Sequence, residues 1–232
     1  MLPQSLTRYK SQFVVIAALA FASAVCLALY TFRVLYSGRL TYFFLNWNLF
    51  LAWIPLLCAF AAYGFYARRS KLRYVAVAWC AGAWLLFFPN APYMLTDLLH
   101  LQPTGQAPVW FDLVMLLAFA LTGLFLGFAS LYLMQDLVTR SLGRVAGWLL
   151  AVMALGLSGF GIYLGRFLRW NSWDVLFDPR GLAADVWVRL RHPLAHPQTF
   201  AFSMLFATFC FSAYLILFAF TRFHQAEQFQ AR

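Results

Sequence analysis

Two short polar segments interrupt an otherwise apolar chain, and they hold the side chains that could carry chemistry. In the first segment, residues 87–100, Tyr93, Asp97 and His100 are spaced by four and then three residues. At this spacing the three side chains share one face of a helix. A carboxylate three residues before an imidazole can orient the ring and raise its basicity. We therefore expect Asp97 and His100 to be candidate catalytic residues that act as an acid–base pair.

A structural role for Asp97 and His100 is the alternative interpretation of the same pattern. Both side chains could hydrogen-bond to backbone groups where a helix ends near a membrane surface. The two residues could also supply two ligands to a metal ion, but two ligands do not make a metal site. The sequence therefore predicts no metal, and it does not identify a cofactor.

Two prolines give the first segment its expected local structure. Pro89 ends an apolar helix, and Pro92 suits the first turn of a new, short one. Asn90 and Tyr93 lie beside these prolines, and we include both as candidate substrate-binding residues.

The second polar segment, residues 165–174, contains two arginines and two tryptophans. If the helix continues here, Arg166 meets Trp170 and Arg169 meets Trp173 at four-residue steps, which suits cation–π contacts. Guanidinium groups also bind phosphate or carboxylate at two points. The candidate substrate-binding residues of this segment are Arg166, Arg169, Trp170, Asn171, Ser172 and Trp173.

Asp174 ends the second segment and is the third candidate catalytic residue. Its carboxylate could hold an arginine in place or act as an acid or base. The structural alternative for the whole segment is membrane anchoring, in which tryptophans sit among lipid head groups and arginines extend towards phosphates.

The composition of the chain indicates which elements position these segments. Of its 232 residues 64% are hydrophobic and 10% are charged, whereas a soluble domain is about half apolar and about a quarter charged. A helix that spans a bilayer needs about 20 apolar residues. We predict an all-α, polytopic membrane helix bundle that forms a single domain over residues 1–232. Its six spans are 13–32, 45–67, 72–88, 111–134, 145–167 and 200–221.

The positive charge of the chain lies between the apolar runs. The net charge is +10, but clusters such as residues 68–73 are placed where membrane proteins meet anionic head groups. We therefore predict no nucleic-acid binding. Both termini and the loops 68–73 and 135–144 hold ten of the Lys and Arg residues, against seven on the other side. This bias predicts that both termini are cytoplasmic and that both polar segments lie on the non-cytoplasmic side.

Two short helices are expected at the membrane interface, near residues 92–101 and 179–191. The second follows Asp178 and Pro179, a good helix start, and Leu182, Val186 and Leu190 then recur every four residues. A solvated loop helix is the alternative. Two glycine pairs four residues apart in apolar spans would allow close helix contact, namely Gly123 with Gly127 and Gly161 with Gly165.

The two polar segments also carry a family resemblance. Residues 84–93, WLLFFPNAPY, with Thr96 and Asp97, and residues 161–174, GIYLGRFLRWNSWD, are similar to the bacterial membrane-protein family known as domain of unknown function 1361. Weaker likeness covers residues 49–55 and 121–132. The resemblance implies a polytopic protein of a bacterial inner membrane. It implies no reaction, and no catalytic residue follows from it.

Three functions remain open on the sequence. The first is an outward-facing site that binds or modifies an anionic lipid or a lipid-linked group. The second is an accessory or scaffold protein that binds a partner protein of unknown identity. The third is a small transporter or channel subunit, although solute paths usually need charges within the spans. In each case the lipid bilayer is the first partner.

Overall fold

The computed structural model describes residues 4–68, 72–103 and 105–230, and every element in these parts of the chain is helical. In chain order the helices are α1 (Gln4–Ser37), α2 (Phe44–Ala67), α3 (Arg73–Phe87), α4 (Asn90–Tyr93), a 3₁₀ helix (Met94–His100), α5 (Val109–Leu142), α6 (Arg144–Leu168), α7 (Asp174–Phe177), α8 (Pro179–Arg191), a second 3₁₀ helix (Pro193–Ala195) and α9 (Pro197–Gln230).

Among the described residues, six stretches are helical, long and apolar enough to cross a membrane. The predicted all-α class and the number of six candidate spans are confirmed. Several helices extend beyond their predicted spans, because polar residues continue the helix past its apolar part. In α5, for example, Arg140 Nε donates to Asp136 Oδ2 over 2.8 Å, one helical turn apart, and this pair supports the last turns.

The short helix predicted at residues 179–191 is present as α8 with the same bounds. The expected start is also present, since the Asp178 carboxylate accepts a hydrogen bond from the Gly181 amide over 2.9 Å. Pro179 has no backbone amide proton, and the first position of a helix does not need one.

The contacts of the chain define two compact units, Met1–Ser130 and Leu131–Arg232, and each is described by itself. In the first unit α2 packs against α3 and α4. One face of α2 is buried because apolar residues recur every three or four positions. This face consists of Leu45, Leu49, Ala52, Leu56 and Ala59.

Buried polar side chains join the helices of the first unit. Trp53 Nε1 donates to Ser23 Oγ over 3.1 Å, which links α2 to α1. Trp84 Nε1 donates to Ser130 Oγ, also over 3.1 Å, which links α3 to α5. Such hydrogen bonds satisfy polar atoms that have no water to bind inside a membrane protein.

The segment after α3 packs closely against α5. A Cβ atom added at Gly123 of α5 would lie 2.6 Å from Met94 Sδ and 2.7 Å from the Ala91 carbonyl oxygen, and one at Gly127 would lie 3.1 Å from Ala91 Cβ. The close contact expected at these glycines is confirmed. It is made with the turn that follows Pro89, so the two glycines seat the first polar segment.

In the second unit α6 packs against α9. A Cβ added at Gly159 of α6 would collide with the Ser203 carbonyl oxygen of α9. The Tyr214 hydroxyl, buried in α9, donates to Gln135 Oε1. A glycine contact and a buried hydrogen bond therefore hold this unit together.

Replacing Gly123 by alanine tests the seating of the first polar segment. Gly123→Ala should destabilise the protein by about 1–3 kcal/mol, the usual effect of overpacking, because backbone and a buried methionine border the new methyl group. The measurement is thermal unfolding of the purified protein in detergent.

The matched control is Gly82→Ala in α3, where no atom lies within 4 Å of an added Cβ. This variant should be at least as stable as the wild type, because alanine favours a helix over glycine by about 1 kcal/mol. Equal stability of the two variants would contradict the described packing.

Candidate functional site

An ion pair is buried at one end of the first unit. Arg33 Nε lies 2.7 Å from Asp112 Oδ1, and Arg33 Nη2 lies 3.1 Å from Asp112 Oδ2. The two side chains are 0% and 1% exposed. Two parallel hydrogen bonds give the pair a fixed geometry, and Asp112 gains further from its place in the first turn of α5. The pair ties α1 to α5.

Sequence reasoning missed this pair. By sequence alone Arg33 is one of the seven cations on the predicted non-cytoplasmic side, and Asp112 is not among the candidate site residues. One signal could have identified both residues. They are opposite charges at the same predicted depth, near the end of one span and the start of another. A lone charge at such a depth is costly, which favours pairing.

Tyr42 lies against the buried pair in the connection between α1 and α2. Its φ of 69° is left-handed, a conformation that is uncommon for residues other than glycine. The Arg33 guanidinium carbon lies 4.7 Å from the centre of the Tyr42 ring. The Tyr42 hydroxyl donates to the His100 carbonyl oxygen over 3.2 Å. Tyr42 therefore contacts both the ion pair and the end of the first polar segment.

The protonation of Tyr42 follows from its surroundings. Burial raises the pKa of the Tyr42 hydroxyl, and the negative charge of Asp112 raises it further. Arg33 and a hydrogen bond with the Gln102 backbone oppose this shift. Since the net change is upward from an ordinary value of about 10, Tyr42 is a neutral hydrogen-bond donor at physiological pH.

The structure places Asp97 and His100 close together. The Asp97 side chain is 1% exposed and that of His100 is 43% exposed, with Asp97 Oδ1 3.9 Å from His100 Nδ1. Asn48 Nδ2 donates to Asp97 Oδ2 over 2.9 Å, and the Phe44 ring centre lies 4.7 Å from that of His100. The arrangement combines a buried, anchored carboxylate with an imidazole that a ligand can reach.

The helix that carries this pair differs from the expected one. Residues 94–100 form a 3₁₀ helix, in which residues three apart lie directly above one another. This geometry keeps Asp97 and His100 adjacent. The Asp97 side chain is buried, while Leu99 is 66% exposed. Hydrogen bonding to Asn48 explains the burial of the carboxylate.

Asn90 and Tyr93 lie at the break between α3 and the 3₁₀ helix. Asn90 Nδ2 donates to the Phe87 carbonyl oxygen over 3.0 Å, near the position where Pro89 supplies no amide proton. The Tyr93 carbonyl accepts from Thr96 Oγ1 over 2.7 Å. Both residues thus have structural contacts, and their role in ligand binding stays a prediction.

In the second segment α6 ends at Leu168, so the helix does not continue through the four-residue steps that the cation–π contacts would need. Arg169 adopts a left-handed conformation with φ of 63°, and the Trp170 amide donates to the Leu164 carbonyl over 3.2 Å. The Arg169 amide also donates to the Leu164 carbonyl, so both amides bind the same carbonyl group where the helix ends. Arg169 and Trp173 therefore do not share a helix at a four-residue step.

The polar side chains of the second segment make local contacts. Asp174 Oδ2 accepts from the Asn171 amide over 2.6 Å and from Asn171 Nδ2 over 3.3 Å. Trp170 Nε1 donates to Asp185 Oδ2 over 2.8 Å, and Asp185 Oδ1 lies 3.2 Å from Arg189 Nη1. Asp174 thus stabilises a turn, and α8 is attached to the end of α6.

The remaining candidates differ in exposure. Arg169 is exposed, while Arg166, Ser172 and Trp173 are half-buried. Arg166 also lies in the last turn of α6, where a cation balances the helix dipole. Since the two polar segments belong to different units, a common site remains a prediction. Within the described parts of the chain no three His, Cys, Asp or Glu side chains are grouped as metal ligands.

Comparison with known proteins gives one match. Residues 47–213 match the profile of a family described as "Protein of unknown function (DUF1361)". This range includes the Asp97–His100 pair and all of the second polar segment. No curated protein and no solved structure gives a significant match.

A double-mutant cycle tests the buried ion pair. Arg33→Met or Asp112→Leu alone should destabilise the protein by about 3–5 kcal/mol, because each leaves a charge buried without its partner. The double variant should be more stable than either single one. Thermal unfolding in detergent measures the coupling.

The exposed pair Asp136–Arg140 provides the control, since its side chains are 30% and 49% exposed at a distance of 2.8 Å. Its coupling should be about 0.3–0.5 kcal/mol. Additive effects of Arg33→Met and Asp112→Leu would show that the two residues do not form the described pair.

Proposed function

The chain belongs to this family of unknown function and is a multi-pass membrane protein, and we propose that it binds or modifies an anionic lipid or a lipid-linked group. One observation carries the proposal. The buried carboxylate of Asp97 lies beside the accessible imidazole of His100 at one end of the first unit. A buried acid next to a reachable base is a common arrangement for proton transfer.

The two residues have different roles in the proposed site. His100 is the group that contacts the ligand, because its side chain is 43% exposed. Asp97, at 1% exposure, is the positioning residue, because its Oδ1 lies 3.9 Å from His100 Nδ1. Asn48 holds the second oxygen of Asp97, so that the carboxylate keeps its direction. His100 would give a proton to a leaving oxygen or take one from an attacking hydroxyl.

The proposed ligand is anionic because the chain has 17 Lys and Arg residues against 7 Asp and Glu. In the second unit, taken by itself, Arg169 is exposed at the end of α6, and its planar fork suits phosphate. The excess of cations between the apolar runs also favours contact with anionic head groups. We extend the proposal to a bacterial inner membrane, with both termini cytoplasmic and the polar segments on the other side.

A second candidate is an accessory protein that binds a partner protein. Large apolar side chains are exposed in and around α7 and α8, with Leu176 79%, Phe177 81% and Leu194 95% exposed. Exposed apolar groups of this size mark contact with lipid or with another protein. On this interpretation the polar residues are structural, and their replacement would leave the lipids unchanged.

Lipid analysis of a deletion strain of the source organism separates the two candidates. The strain is complemented with the wild type, His100→Ala, Asp97→Asn or Arg169→Ala. We expect the wild type to restore the lipid profile and His100→Ala to fail, because loss of a general acid or base slows a reaction by about 10²–10⁴-fold.

The control variant is His192→Ala, which removes an exposed histidine of the second unit and should complement fully. Membrane levels of each variant are compared by immunoblot. A deletion strain with an unchanged lipid profile, or full complementation by His100→Ala, would reject the proposed lipid chemistry.

A further inference from the structure

We propose that Tyr42 is a positioning residue that couples the buried Arg33–Asp112 pair to the imidazole of His100. The inference rests on the proposed function of His100. Tyr42 itself touches no ligand in this proposal. It acts by fixing the backbone from which the His100 side chain extends.

The backbone of Tyr42 shows that its side chain is needed at this position. A left-handed residue with a Cβ is disfavoured relative to glycine, and Gly38 occupies the same region of φ earlier in the same connection, at 64°. A tyrosine persists in such a conformation only when its surroundings hold it there. The surroundings here are the Arg33 guanidinium on its ring face and the His100 carbonyl at its hydroxyl.

The contacts of Tyr42 lead directly to the imidazole. His100 is the last residue of its 3₁₀ helix, and its carbonyl has the Tyr42 hydroxyl as donor. Phe44 packs against both rings, with centre distances of 6.0 Å to Tyr42 and 4.7 Å to His100. The Tyr42 hydroxyl and the Phe44 ring thus confine His100 from one side, and Asp97 faces its Nδ1.

The charges near this chain of contacts define the expected effect. Asp97 is the negative group that faces the imidazole, while Arg33 and Asp112 form a neutral pair behind the Tyr42 ring. If the hydroxyl of Tyr42 is lost, the end of the 3₁₀ helix is released and His100 can move away from Asp97. The negative charge of Asp97 then stabilises the protonated ring less, so the imidazole should lose its proton at lower pH.

Acylation of His100 by diethyl pyrocarbonate measures this without any substrate, since only the neutral imidazole nitrogen attacks the reagent's carbonyl carbon, releasing ethanol and carbon dioxide. The full-length protein in detergent is modified over a range of pH, and peptide mass spectrometry follows His100, with His192 as internal reference. Tyr42→Phe keeps the ring over Arg33 and removes the hydroxyl. Its His100 midpoint should shift downward by about half a pH unit, and Asp97→Asn should shift it at least as far.

Two further variants distinguish positioning from a merely structural turn. Tyr42→Gly relieves the left-handed backbone but empties the buried ring site beside Arg33, so thermal unfolding first verifies that the variant is folded. Its His100 midpoint should then shift as that of Tyr42→Phe does. Tyr36→Phe removes a hydroxyl from an exposed tyrosine of α1 and should leave the midpoint unchanged. In the complementation assay Tyr42→Phe should lower activity by about tenfold or more.

The outcomes separate this inference from the proposed function. A wild-type midpoint in Tyr42→Phe or in Tyr42→Gly would overturn the positioning role. A shifted midpoint in the purified protein, together with full complementation by His100→Ala in the deletion strain, would support the coupling and reject the lipid chemistry. A shifted midpoint together with lost complementation would support both.

Discussion

The first unit depends on one buried ion pair. Arg33 and Asp112 lie in apolar surroundings where a single charge would be strongly unfavourable, so each residue requires the other. Their two parallel hydrogen bonds fix the end of α1 against the start of α5. Tyr42, the His100 carbonyl, Asp97 and Asn48 extend from this fixed point by direct contacts. The polar end of the unit is therefore held in place before any ligand arrives.

The irregular chain beside this pair is possible because protein surrounds it. Inside a membrane, backbone that is neither helix nor closed sheet is tolerated only where protein or water satisfies it. Pro89 breaks α3, and Gly123 and Gly127 leave room for the turn that follows. The Asn90 and Thr96 side chains bind carbonyl groups near the break. A few small and polar residues thus allow a polar segment to fold against apolar helices.

The sequence predicted what depends on local pattern. Apolar runs indicated the spans, Asp178 and Pro179 indicated α8, and a three-residue spacing placed Asp97 beside His100. It could not predict contacts between distant segments. A run of residues indicates the depth of Arg33 but not which helix is its neighbour. The pairing of Asn48 with Asp97 could not be predicted for the same reason. The left-handed stop at Arg169 was missed because arginine carries no preference for that conformation.

The continuation of α3 has a consequence for its place in a bilayer. Alone, its 15 residues span about 22 Å at 1.5 Å per residue, which is less than the hydrocarbon thickness of about 30 Å. Together with α4 and the 3₁₀ helix, the candidate span covers the 28 residues Arg73–His100. The segment that carries Asp97 and His100 therefore also completes the third span, and a change that loosened this segment would leave α3 too short to cross the hydrocarbon by itself.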